Sequence, residues 1–328
     1  MSFRKELKMA KPFSVSSRLL ILVVLAIIFA ATMIGLSIKS RSTEYKETYF
    51  GDSDKMVEKT FPVQSNGNLI IDADVGNVSI IGSEVNEVSV RVIARGSDEQ
   101  LRRFDVTFDQ EGNTVKVKGK TKHSRFRFFN NNWLDIQFEI QVPKSFNLNL
   151  NTSGGNIEIQ NMKGQINGET SGGNLDITDI EGNVKLSTSG GNVDVRKAKG
   201  EFDLETSGGN MYAESVDGSL RMETSGGNIE IRGSTGKVNA STSGGNIRAS
   251  LKDNQGIDLS TSGGNISVEL PKTISADVRA EASGGDVSCD IEYSGKIKDG
   301  SMKGKINGGG NLIRLETSGG DIVITSNE

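Results

Sequence analysis

Residues 170–187 read TSGGNLDITDIEGNVKLS. The opening phrase, Thr-Ser-Gly-Gly-Asn, begins at Thr152, Thr170, Thr188, Thr206, Thr224 and Thr242, eighteen residues apart each time, and again at Thr261 after one extra residue. Altered copies start at Ala282 and Thr317, with Asp286 and Asp321 in the Asn place. A short fixed period means one supersecondary unit stacked on copies of itself, a solenoid. Within the unit, Leu175 and Ile177 are spaced by two, as are Val184 and Leu186, and polar residues such as Asp176 fall between. That is strand periodicity, apolar side inward and polar side to water. The second apolar pair follows the first by nine residues, and glycine repeats at the same interval, Gly173 with Gly182 and Gly191 with Gly200. Each coil therefore reads as two nine-residue halves, a short strand and a turn in each. The expected fold is all-β: a parallel β-solenoid, or β-helix, with 18-residue coils.

The Gly-Gly pair is expected to supply positive φ at a tight corner, which glycine adopts without penalty. The Asn that follows, at Asn156, Asn174, Asn192, Asn210, Asn228, Asn246 and Asn265, is expected to stack in a ladder along one edge. Three glycine-rich alternatives fail on spacing. A phosphate loop needs Lys-Ser or Lys-Thr after its last glycine and a helix to follow. Calcium-binding nonapeptides carry an Asp on every turn, where these turns carry Asn. Hexapeptide coils repeat every six residues.

The rest of the chain is organised around this array. Residues 1–18 hold Arg4, Lys5, Lys8, Lys11 and Arg18 against one Glu6, and Leu19–Ile38 follow without a charge. Twenty uncharged, mostly apolar residues after a basic cluster predict one N-terminal transmembrane helix over 19–38, with residues 1–18 in the cytoplasm and the C-terminal domain outside. Residues 39–60 read as a polar linker. Residues 61–150 read as an irregular, longer-looped β region capping the first regular coil, with a short helix near Ser97–Arg103, and residues 151–328 as the solenoid proper. Net charge is −4, so no polyanion partner, nucleic acid included, is implied by the overall balance, and one cysteine rules out an internal disulfide.

One His and one Cys in the whole chain cannot build a His/Cys metal site, and no cofactor motif is present. Carboxylates sit at outward positions in nearly every coil, as a solvated face should, and no cluster breaks the pattern. The chain is read as no enzyme. Carbohydrate-active chemistry by paired acids is the distant alternative. Two surfaces qualify for binding. One is the Asn edge. The other is Arg125-Phe126-Arg127-Phe128-Phe129, followed by Trp133, where aromatic and basic side chains together could stack on sugars or hold a partner.

The strand Ile136–Pro143, the repeated Thr-Ser-Gly-Gly-Asn and the closing Thr317–Ile324 together resemble the bacterial DUF4097 family, over roughly residues 60–328. Its members are often labelled adhesins with β-strand repeats. The resemblance implies a bacterial cell-envelope protein, in some members tied to envelope stress, and brings no catalytic residues with it. The expected function is a membrane-anchored binding or scaffold module. It would be single-pass in the bacterial cytoplasmic membrane, contacting an envelope polymer or an extended protein segment, with self-association possible. A self-assembling scaffold like the bactofilin filaments is the alternative.

Overall fold

The computed structural model describes residues 46–49, 54–122 and 134–327, within a β unit spanning Tyr45–Glu328. The transmembrane helix expected over 19–38 lies outside the described residues. Among those residues no helix is long and apolar enough to cross a membrane.

Alternation sets the body. Strands Ile157–Thr170, Leu175–Thr188, Val193–Thr206 and Met211–Thr224 are each fourteen residues long. They pair in parallel, one coil apart: Ile157 opposite Leu175, Leu175 opposite Val193, Val193 opposite Met211. The apolar positions of every coil, such as Leu175, Ile177, Ile180, Val184 and Leu186, are buried. Each long strand bends midway, so one coil contributes to two faces wrapped about a common core. Face one holds the segment after each Asn, and face two the segment before each Thr.

The bend corrects the sequence reading of the glycines. Left-handed backbone occurs not in the Gly-Gly pairs but at the midpoint, at Asn161, Asp179, Lys197 and Ser215 (φ between 53° and 58°), with Gly164, Gly182, Gly200 and Gly218 at φ between 130° and 151°. Gly-Gly is required for a different reason. A Cβ on Gly173 would lie 1.9 Å from the carbonyl oxygen of Gly155 in the coil beneath, whereas one on Gly172 would meet nothing within 4 Å. The second glycine of each pair is fixed by stacking distance.

Both ends depart from chain order. At the C-terminal end chain order alone would put the Thr317 copy outermost. Instead Asn311–Thr317 lies between Ile257–Thr261 and Ala276–Ala282 on face two, and Ile322–Asn327 lies between Ile266–Pro271 and Val287–Cys289 on face one. The Ala282 coil is therefore outermost. Hairpin strands Tyr293–Lys298 and Ser301–Ile306 pair antiparallel over it. The N-terminal end repeats the device. Gly67–Ala73 lies between Thr114–Thr121 and Phe146–Thr152, and Asn77–Ser83 between Asp135–Pro143 and Ile157 of the first long strand. Antiparallel strands again finish it, with Phe104–Glu111 on one face and Glu87–Arg95, then Asp54–Pro62, on the other. Part of the stretch read as a linker is thus strand: Asp54–Pro62 buries Val57 and Phe61. A single helical turn, Asp98–Leu101, stands where a short helix was expected, the Gln100 side chain accepting the Ser97 N–H at 2.9 Å.

Candidate binding edge

The repeated phrase builds one edge of the unit from two parallel hydrogen-bond systems. The inner one is threonine. Thr170, Thr188, Thr206, Thr224, Thr242, Thr261 and Thr317 are buried among aliphatic side chains. A buried hydroxyl needs a partner. Each donates to the carbonyl of the second glycine in the adjacent coil: Thr188 to Gly173 at 2.7 Å, Thr206 to Gly191 at 2.8 Å, Thr317 to Gly264 at 2.7 Å. Most also accept the second glycine N–H of their own turn, as Thr206 does from Gly209 at 3.3 Å. Alanine replaces threonine at Ala73 and Ala282, one coil in from the N-terminal cap and at the outermost C-terminal coil. Ala282 instead donates its backbone N–H to Gly300.

The outer system is the asparagine ladder expected from sequence. The Oδ1 of Asn156 accepts the backbone N–H of Asn174 at 2.8 Å, and the same bond joins Asn174 to Asn192, Asn192 to Asn210, Asn210 to Asn228, Asn228 to Asn246 and Asn246 to Asn265. The structure extends it at both ends, to Asn77 below Asn156 and through Asp321 to Asp286 above Asn265. Gly76-Asn77 and the two Gly-Gly-Asp copies carried that signal. The order Asn265, Asp321, Asp286 follows from the threaded terminal coil and could not be read along the chain.

These bonds decide what the edge can do. Ladder Oδ1 atoms are committed to the neighbouring coil, so the amide faces outward mainly as an N–H₂ donor. The first glycine and the serine of each turn are exposed beside it, as with Ser189, Gly190 and Asn192. The edge is a neutral, donor-rich ridge with one rung per coil, ending in the carboxylates of Asp321 and Asp286. Depressions among the described residues are open to solvent. One lies beside this edge, lined by Ser260, Ser262, Ser283 and Ser318 with Glu281 and Glu316.

The flanking faces carry paired charges. Lys163 meets Glu181 at 2.8 Å and Arg221 meets Asp203 at 3.1 Å. Tyr212 lies between the guanidinium groups of Arg196 and Arg232, at 5.4 and 5.8 Å from its ring centre. Burial raises its hydroxyl pKa, as does Glu214, against the opposing pull of the two arginines. At the N-terminal end, burial alone would raise the Asp74 carboxyl. The Thr121 backbone N–H at 2.9 Å and the Lys120 ammonium at 3.1 Å outweigh it, and the group stands below its ordinary value. Burial raises the thiol of Cys289, half-buried on the outermost face-one strand. No three His, Cys, Asp or Glu side chains converge to hold a metal ion among the described residues. The second candidate surface, Arg125, Phe126, Arg127, Phe128, Phe129 and Trp133, lies outside the described residues.

Residues 66–325 match the family model Toastrack DUF4097. Similar crystal structures include a "putative adhesin" from Bacteroides fragilis (16% identity over 83% of this chain and 97% of that one, TM-score 0.41). A "putative adhesin" from Parabacteroides merdae is 12% identical over 83% of this chain and 96% of that one, with TM-score 0.39. A "putative cell adhesion protein" from Clostridium sporogenes is 13% identical over 86% and 100%, with TM-score 0.22. No curated protein matches the chain.

Proposed function

We propose, for a chain that belongs to the Toastrack DUF4097 family, a role as a membrane-anchored binding module that holds an extended partner along its asparagine edge, outside the cytoplasm. The observation that carries this reading is the ridge itself. Its ladder carbonyls are spent on stacking while its amides, serines and first glycines stay exposed, rung after rung. Rungs recur at the inter-strand spacing of ~4.8 Å, so a linear partner gains one weak contact per coil and the contacts sum. A donor-rich, uncharged surface suits a partner rich in acceptors, such as the hydroxyl, ether and amide oxygens of an envelope polysaccharide or an extended peptide. Anchoring rests on the basic residues 1–18 and the charge-free stretch 19–38. The antiparallel hairpins closing the unit favour a discrete module over a filament growing end to end.

The test deletes whole coils. Chains lacking residues 188–205, and then 188–223, keep the eighteen-residue register. Their co-sedimentation with isolated envelope glycan should weaken stepwise. If both deletions bind as the intact chain does, while replacing Phe128, Phe129 and Trp133 by alanine abolishes binding, the edge is a stalk and the 125–133 segment is the binder.

A further inference from the structure

At the C-terminal end of face two, register places four cations side by side on four successive strands. Arg314 is opposite Arg279, Arg279 opposite Lys303, and Lys303 opposite Lys296. On the strands of Arg314, Arg279 and Lys303 the inward residues are buried and these positions face outward; on the rim strand Tyr293 and Ile297 are half-buried, and Arg279, Lys303 and Lys296 are exposed. Among the described residues none of those three forms an ion pair. Arg314 reaches Glu316 at 3.8 Å, and the neighbouring Lys305 reaches Asp277 at 3.8 Å. The N-terminal end of the same face is built the other way. There Asp109 is opposite Lys116 and Asp105 opposite Lys120, and Lys116 and Lys120 pair with Glu111, Asp72 and Asp74.

Like charges directly opposite in a sheet are destabilising. Lysines on an outermost strand do guard it against strand addition, which accounts for Lys296 and Lys298. It does not account for Arg279 and Arg314, which sit on strands paired on both sides. We propose that this row, Arg314–Arg279–Lys303–Lys296, is a binding track for a linear polyanion carrying phosphate groups. The row spans three strand spacings, about 14 Å. Arg279 and Lys303 of the row line an open depression together with Asp277 and Lys305. That shape follows a chain of anions and does not enclose a single one. Two adjacent guanidinium forks match phosphate oxygens better than point charges do. Glu281 and Glu316 lie in the next outward row, on the same strands as Arg279 and Arg314. A flat anionic membrane would meet these carboxylates along with the cations, whereas a single polymer chain lies along the cationic row alone. The track is separate from the asparagine edge and does not depend on its ligand.

The experiment uses the full chain kept in mild detergent, with fluorescently labelled polyphosphate as probe and anisotropy as readout. The intact chain should bind it, with affinity falling steeply as salt rises. Orthophosphate should compete only at far higher concentration, and phosphatidylglycerol–phosphatidylcholine vesicles should not capture the chain through this row. R279Q/K303Q should weaken binding at least about tenfold and flatten the log–log salt slope by roughly 1 to 2, without lowering the melting temperature. K116Q/K118Q, removing the same charge from the opposite end, should bind as the intact chain does. The proposal is overturned by absent polyphosphate binding, by equal losses in the two variants, or by vesicle capture that R279Q/K303Q abolishes while polyphosphate binding stands.

Discussion

Replacing Gly209 by alanine and Gly208 by alanine separates two explanations for the repeated pair. If the turn needed unusual φ, both would suffer. The structure puts neither in the left-handed region. It places a Cβ on Gly209 at 1.9 Å from the Gly191 carbonyl oxygen and 2.5 Å from its carbon, but a Cβ on Gly208 at 3.8 Å from the Ser189 oxygen. Contacts below 3.0 Å are essentially never seen, so the Gly209→Ala coil must back away by at least 1.1 Å, the difference between 3.0 and 1.9. Both groups are backbone, and no side chain can swing aside. A shift of that size stretches the Asn210 N–H to Asn192 Oδ1 bond, now 2.8 Å, and disturbs the Thr206 hydroxyl, which accepts the Gly209 N–H and donates to that same Gly191 carbonyl. Three hydrogen bonds at ~1 kcal/mol each, together with crowding of a packed site, give a loss of about 3–5 kcal/mol.

Gly208→Ala should stay within about 0.5 kcal/mol of the parent. Urea unfolding of the two variants reads the difference. At a slope of ~3 kcal/mol/M, the Gly209→Ala midpoint falls by about 1 M or more while the Gly208→Ala midpoint is unmoved. Amide exchange localises the damage, with Asn210 losing protection before residues several coils away, because coupling is to nearest neighbours. Equal midpoints for the two variants, or a Gly209→Ala loss below about 0.5 kcal/mol, would refute the stacking account.

Thr206→Val should cost about 1–3 kcal/mol, since it leaves the buried Gly191 carbonyl without its hydroxyl donor, and Thr206→Ser should recover most of that in the same denaturation assay. Asp74→Asn probes pH dependence. A carboxyl held below its unfolded value near 3.9 adds stability that is present above that pH and lost as the pH falls through the folded value. The variant should therefore be less stable than the parent at pH 7 and converge with it in acid, and parallel curves from pH 7 to pH 2 would contradict the assignment. Truncation after Gly310 removes an inner layer of the stack. It should unfold the C-terminal coils and open them to trypsin, while deletion of 188–205, of the same length, should leave proteolysis unchanged.

The body of the fold was legible because its information is local and repeated. Leu175 with Ile177 and Val184 with Leu186 mark the inward face within one coil, and the next coil says the same. The Asn ladder followed from stacking alone. What was misread turned on contacts between coils. The spacing that makes Gly173 obligatory lies in the Gly155 carbonyl, eighteen residues away, and no pattern within one turn distinguishes steric need from conformational need. Thr188 continues the inward spacing of Val184 and Leu186, and its hydroxyl can face the core because the glycine carbonyl of the neighbouring coil is there to receive it. Asp54–Pro62 hid for another reason. It is paired antiparallel near the rim of face one and buries only Val57 and Phe61, too few apolar residues to announce a strand. The basic track was invisible for the reason the terminal coil was. Arg314 meets Arg279 only once the last strands thread beneath an earlier coil, and Lys303 and Lys296 come alongside only when the hairpin folds onto that coil.

That threading answers a difficulty that repetition creates. Coils that are alike can pair one whole turn out of step without moving a single side chain to the wrong face, so alternation cannot fix their register. The irregular residues do so. Gly168 leaves room for Leu186, whose side chain would lie 2.6 Å from a Cβ there. The extra residue before Thr261 falls within 252–256, between the Ser234–Leu251 and Val238–Ile257 pairs, where the offset between the coils changes from 17 to 19. Thr317 can donate its hydroxyl to Gly264 and so extend the threonine chain, which Ala282 cannot do. Placing the Thr317 coil inside and the Ala282 coil outside satisfies the buried Gly264 carbonyl and puts the residue with no hydroxyl over Gly320, which is only half-buried. The chain's last strands are then held between neighbours on both sides, and the hairpin carrying Lys296 and Lys303 is left at the rim, where a partner can reach it.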